Sequence, residues 1–163
     1  MNTRDIRLLF DYNAWASARI LGAASRVTGE QFTGPGTYPH GGLRGTLMHA
    51  LHAERVWLVR WQGGPPVTRL APEDFPTVAS LTTRWREEER RLMAFVDALT
   101  DDRLQAAFDY TSTEGQPYRR VLWEAMAHLV NHGTQHRSEA AAMLTDLGQS
   151  PGDIDLIVFL NER

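Results

Sequence analysis

The sequence predicts an all-α protein, a four-helix bundle forming a single domain over residues 1–163, on three observations. Four segments repeat apolar residues at three- and four-residue spacing, each for about twenty residues or more. Stretches rich in Gly and Pro separate these segments. Alternating runs of strand type are nearly missing from the chain.

The first helix is expected from about Thr3, read as its N-cap, to about Ser25, with Ile6, Leu9, Phe10, Asn13, Ala16, Ile20 and Ala24 on one ridge. Thr33 to Gly42, holding Gly34, Pro35, Gly36, Pro39, Gly41 and Gly42, reads as a loop. A second helix runs from about Leu43 to Gln62, closed by Gly63-Gly64-Pro65-Pro66. The third begins near Thr77 and reaches about Thr100, with Leu81, Trp85, Leu92, Phe95, Val96 and Leu99 as its buried stripe. Its link to the fourth helix, from Thr100 to Tyr118, is long enough for something other than a tight turn. Phe108-Asp109-Tyr110-Thr111 followed by Glu114-Gly115-Gln116 allows a short hairpin there. The fourth helix reads from about Tyr118 to Leu147, and Gly148 sits where a C-cap glycine belongs. Ser150-Pro151-Gly152 then breaks the chain before Ile154 to Leu160, an apolar tail expected to pack back on the body.

Composition narrows the chemistry. A net charge of -3 lacks the basic surplus of a nucleic-acid binder. No apolar run is long enough to cross a membrane, and Met1 to Asp5 lead straight into the amphipathic pattern, so the expected setting is the cytoplasm. All 17 basic residues are arginine, which removes lysine nucleophiles and Schiff bases. Cysteine is absent too, so a metal must be held by nitrogen and oxygen, and any thiol must arrive with a cosubstrate.

Histidine carries the informative pattern. His128, His132 and His136 stand four residues apart along one ridge of the fourth helix. Imidazoles one turn apart can bring their nitrogens within about 3 to 4 Å, close enough to share an ion with zinc–nitrogen bonds of about 2.0–2.1 Å. A third ligand from a facing helix would leave a position open for water or substrate. Helix two offers His49 and His52, and its apolar residues run nearly all round, so either could point inward. The segment His132-Gly133-Thr134-Gln135-His136 lacks the glutamate that serves zinc proteases as general base, which removes that chemistry. His40, in the Gly/Pro loop, reads as plain surface.

Three blocks together resemble the DinB family: Tyr12-Asn13-Ala14-Trp15-Ala16, then His49-Ala50-Leu51-His52-Ala53-Glu54-Arg55-Val56-Trp57-Leu58, then Asn131-His132-Gly133-Thr134-Gln135-His136-Arg137. The resemblance implies a DinB/YfiT-like four-helix bundle, usually dimeric, with a three-histidine divalent-metal site holding nickel or zinc. The ligands it implies are His49, His132 and His136, which leaves His52 and His128 as core or supporting residues. Where the family often has Gly-Gln after His-Arg, this chain has Ser138-Glu139. Relatives include thiol-dependent transferases and isomerases that use mycothiol, bacillithiol or glutathione. A metal-bound thiolate is a sensible nucleophile, because the ion lowers the thiol pKa and fixes its position.

Five other residues carry paired readings. Trp57 and Trp61 fit core or rim packing better than substrate stacking. Arg137 suits either an anionic substrate or cosubstrate carboxylate, or a surface or interhelical ion pair. Asn13 and Tyr12 are candidates to satisfy the second nitrogen of a ligating imidazole, and Asn13 falls on the inward ridge of its helix. The expected function is a thiol S-transfer or hydrolysis on a small electrophilic molecule. The rivals are a metal-binding stress-response module without catalysis and a bundle whose histidines are structural.

Overall fold

The computed structural model describes residues 1–163. Its long helices are α1 (Thr3–Ala24), α3 (Leu43–Trp61), α4 (Val78–Asp97) and α6 (Leu122–Asp146). Two short helices, α2 (Gly29–Thr33) and α5 (Asp101–Gln105), lie in the connections, and a third, α7 (Leu156–Asn161), follows α6. Each is too short to show a periodic stripe. Two strands, β1 (Ala107–Thr111) and β2 (Pro117–Val121), complete the chain. No helix is long and apolar enough to cross a membrane.

Capping chemistry sets the helix limits. Asn2, not Thr3, caps α1: its side chain accepts from the Asp5 N–H at 2.9 Å, and the Asp5 carboxylate accepts from the Asn2 N–H at 3.1 Å. Thr77 caps α4 and Thr100 caps α5, so the third long helix ends at Asp97, before the expected Thr100. The fourth begins at Leu122 rather than Tyr118, because Pro117–Val121 pair antiparallel with Ala107–Thr111 and their backbone groups are committed to that ladder. Gly148, with a positive φ of 71°, ends α6 as expected, and the Gln149 N–H reaches back to the Leu144 carbonyl at 2.8 Å. The apolar tail does fold back: Phe159 on α7 is buried against Tyr12 and Trp15.

The core falls into two apolar clusters that share the same four long helices. α1 gives Phe10 and Ala16 to the first cluster, then Ile20 and Ala24 to the second. α6 likewise passes from Met126 and Leu129 to Ala140 and Leu144. α3 runs the other way, from Leu47 and Leu51 to Leu58 and Trp61, as does α4, from Leu81 and Trp85 to Leu92 and Val96. α1 and α6 are thus co-directional and opposed to α3 and α4, and each pair packs side by side. The long segment from 62 to 77 makes this possible by returning the chain to the end where α3 began.

A buried polar layer separates the two clusters: Asn13 and Ser17 on α1, Glu54 on α3, Glu88 on α4, and His136 and Arg137 on α6. Buried polar groups are tolerated when they meet partners. Glu88 does so through Arg84 at 2.8 Å, Arg91 at 3.0 Å and Arg55 at 3.3 Å.

Candidate metal centre

The imidazoles gather at one edge of this layer, where α3 packs on α6. His49 Nε2 lies 3.3 Å from His132 Nε2, and His132 Nε2 lies 3.3 Å from His136 Nε2. Nitrogens so placed share either a proton or a cation, since the same lone pairs serve both. This facing geometry also separates His49 from His52, which helix periodicity left equivalent. His52 lies on the wall of an adjoining cavity, its Nδ1 buried without a partner. His128 stands further along α6, its ring edge-on to Trp57 at 5.3 Å and tilted against His132 at 5.8 Å.

The electrostatics keep His49 and His132 uncharged. Burial first, then repulsion from His40, His136, His132 and His52, lowers the His49 pKa from 6.5 to about 3. Burial, followed by His136 and His128, lowers His132 to about 4. Neutral imidazole is the form that ligates a metal. One nitrogen is fixed further: a carboxylate can only accept, so His136 Nδ1–H donates to Glu139 Oε2 at 2.7 Å and its Nε2 is left to face the cluster. Glu139 therefore supports an imidazole, and it lies one turn from it on the same helix. His132 Nδ1 is buried with no such partner.

His40 is not plain surface. Its ring stacks on His49 with centroids 3.6 Å apart and planes 10° apart, and meets His136 edge-on at 5.1 Å. One ligand atom from each of His40, His49 and His136 lies within 4.8 Å of the other two. Two sets of three therefore share His49 and His136, one completed by His132 from α6 and the other by His40 from the loop. The sequence did hold a trace of this. Gly42 and Gly45 follow His40, and a side chain at Gly45 would put its Cβ 2.0 Å from the His40 carbonyl oxygen, so that glycine is what lets the loop lie on the first turn of α3.

Asn13, Tyr12 and Arg137 do not reach the imidazoles. Arg137, 2% exposed, donates to Asn13 Oδ1 at 2.6 Å and to Thr134 at 3.2 Å, and its guanidinium sits over the Tyr12 ring. Asn13 Nδ2 in turn donates to Glu54 Oε1 at 2.8 Å. The Tyr12 hydroxyl donates to the Ile154 carbonyl at 3.0 Å. Arg137 is thus an interhelical tie, reached through an amide rather than as a direct ion pair. Gly133 makes room for it, since a Cβ there would lie 2.8 Å from an Arg137 nitrogen and 3.0 Å from Asn13 Oδ1. Trp61 is buried against Phe10 and Phe95, and Trp57 is half-buried beside Tyr110, in line with packing roles.

A cavity of about 600 Å³ opens on the cluster, lined by His40, His49 and His52 with Met48, Leu70 and Arg69. Arg69 is its only charged lining residue. The donor set is imidazole nitrogen backed by one carboxylate, a chemistry suited to borderline divalent ions such as zinc and nickel. The cavity supplies space for a small molecule beside it. The DinB family model matches residues 1–163, the whole length of the chain. No curated protein matches it.

Proposed function

This chain belongs to the DinB family, and on that premise we propose that it is a metal-dependent enzyme on a DinB/YfiT-like four-helix bundle. His49, His132 and His136 would hold one divalent ion, zinc or nickel. The observation that carries the reading is the pair of 3.3 Å approaches that aim three Nε2 atoms from two helices at one another, with Glu139 orienting one of them. When bound, the ion would lower the pKa of a thiol or water beside it. The chain's own part is to keep His49 and His132 neutral, to hold His136 by its Nδ1, and to offer a cavity of about 600 Å³ for a small electrophile. Arg69 on the cavity wall would meet an anionic group on the substrate or on a low-molecular-weight thiol cosubstrate. The reaction class is thiol S-transfer or hydrolysis. The homodimer and the cytoplasmic setting expected from the sequence belong to the same proposal.

Metal-binding without catalysis is the second reading, and His40 favours it, because a fourth imidazole at the cluster leaves less room for a reacting group. Both readings are tested by elemental analysis of untagged protein beside His136→Ala, which removes a residue common to both sets of three. The expected result is roughly one ion per chain, lost in the variant. Unchanged metal content in His136→Ala would overturn the site. Turnover of a panel of thiols and electrophiles by the loaded wild type, and none by the variant, separates enzyme from binding module.

A further inference from the structure

The loop that carries His40 is built with more care than a surface loop needs. Pro39 and His40 are the two central residues of a turn closed by the Gly41 N–H on the Tyr38 carbonyl at 2.8 Å. Proline at the first central position fixes that turn's backbone in advance. Gly41 follows with a φ of 84°, a conformation that strains any other residue. The loop is then folded closely on itself at two glycines and onto the first turn of α3 at a third. An added Cβ at Gly36 would lie 2.7 Å from the Gly41 carbonyl oxygen, at Gly42 2.1 Å from that of Gly34, and at Gly45 2.0 Å from that of His40. These contacts fix the backbone under His40, so its imidazole is delivered to the cluster at little entropic cost.

Stacking alone does not account for what is delivered. A phenyl ring would cover His49 as well, and would bury no polar atom. His40 instead brings a ring nitrogen to within 4.8 Å of ligand atoms on both His49 and His136. Two nitrogens bound to one tetrahedral zinc at about 2.1 Å are about 3.4 Å apart. The gap to close is therefore at most about 1.4 Å, within reach of a side-chain torsion on a fixed backbone.

We propose that His40 is a fourth, loop-borne imidazole ligand, so that the ion is held by nitrogens from α3, α6 and the turn before α3. This rests on the metal reading above and extends its donor set by one residue. The position the helices leave open would then be filled by the chain itself, on the side that faces the cavity.

The test compares wild type with His40→Phe and His40→Ala, each stripped of metal and titrated with zinc against a chelating dye, then loaded with cobalt(II) for its visible spectrum. His40→Phe keeps an aromatic ring for His49 and removes the donor nitrogens, whereas His40→Ala removes both. A fourth ligand predicts that both variants still take up one ion, bind it tenfold or more weakly than wild type and to the same degree, and share an altered cobalt spectrum. Wild-type affinity and spectrum in His40→Phe would overturn the proposal and leave His40 a stacking cover. So would unchanged affinity in both variants. A wild-type chain that takes up no zinc would instead overturn the metal reading, and the fourth ligand with it. Melting curves of the metal-free proteins verify that both variants fold, and either one suffices for the decision.

Discussion

Removing the Glu139 carboxylate should loosen a bound ion without touching any nitrogen that would hold it. The His136 Nδ1–H···Glu139 contact is 2.7 Å long, and the two side chains are 4% and 15% exposed. A hydrogen bond to a charged acceptor contributes about 1.5–3 kcal/mol, against about 0.5–1.5 for a neutral pair. Tenfold in affinity corresponds to about 1.4 kcal/mol. Glu139→Ala should accordingly weaken zinc binding by roughly 10- to 100-fold, the range found when the partner of a ligating histidine is lost. Glu139→Gln keeps an acceptor oxygen and forfeits only the charge, so its loss should be smaller, about tenfold. Zinc competition with a chelating dye measures the ladder, with Gln135→Ala, an exposed neighbour on the same helix, expected to match wild type. The reasoning fails if Glu139→Ala binds zinc as wild type does, or if the glutamine variant binds more weakly than the alanine one.

The buried polar layer gives two further expectations. Burial pushes Glu54 up from 4.5 to about 7, against the lowering effects of the Asn13 hydrogen bond and the Arg137 charge. A carboxyl raised in the folded state favours folding most below its unfolded pKa and loses that contribution as pH climbs from about 4.5 to about 7. Glu54→Gln should thus melt higher than wild type at pH 8, by up to about 3 kcal/mol or roughly 6–12 °C, with the difference nearly gone at about pH 4. Equal melting differences at the two pH values would refute it. Gly133→Ala should destabilise the chain by about 1–3 kcal/mol in urea unfolding, although alanine is the better helix former, because its Cβ must displace the Arg137 guanidinium or the Asn13 amide. A stabilised Gly133→Ala variant would show that this network gives way at no cost.

The long helices were legible because a buried stripe repeats over many turns and their caps are local chemistry. Gly148 and the Gly63-Gly64 stop behaved as their conformational needs require, and the hairpin announced itself through Phe108 to Thr111. Short elements such as α2 and α5 have one turn each, and their stability comes from capping and docking, which periodicity does not report. The same limit governs the site. His132 and His136 share a ridge by arithmetic alone, and Asn13 already stood on the inward face of its helix. Choosing His49 over His52 needs the facing helix, because α3 is apolar nearly all round. His40 depends on a contact between a loop and a helix face that no spacing rule contains. By sequence Arg137 reads as a partner for an anion or for a carboxylate; its tie to Asn13 depends on a glycine one turn earlier and an asparagine on another helix, a meeting that spacing does not report.

That same polar layer has a consequence for assembly. An apolar seam between helices can slide, since one leucine contact resembles the next, and a slip of one helical turn displaces a side chain by about 5.4 Å. Asn13, Glu54, Glu88 and Arg137 remove that freedom, because any slip would strand a buried charge or amide opposite hydrocarbon. The layer therefore acts as the alignment mark of the bundle. His49 and His132, which sit on different helices only one turn or so from this mark, come into line as soon as it does. Their meeting is decided when α3 and α6 dock.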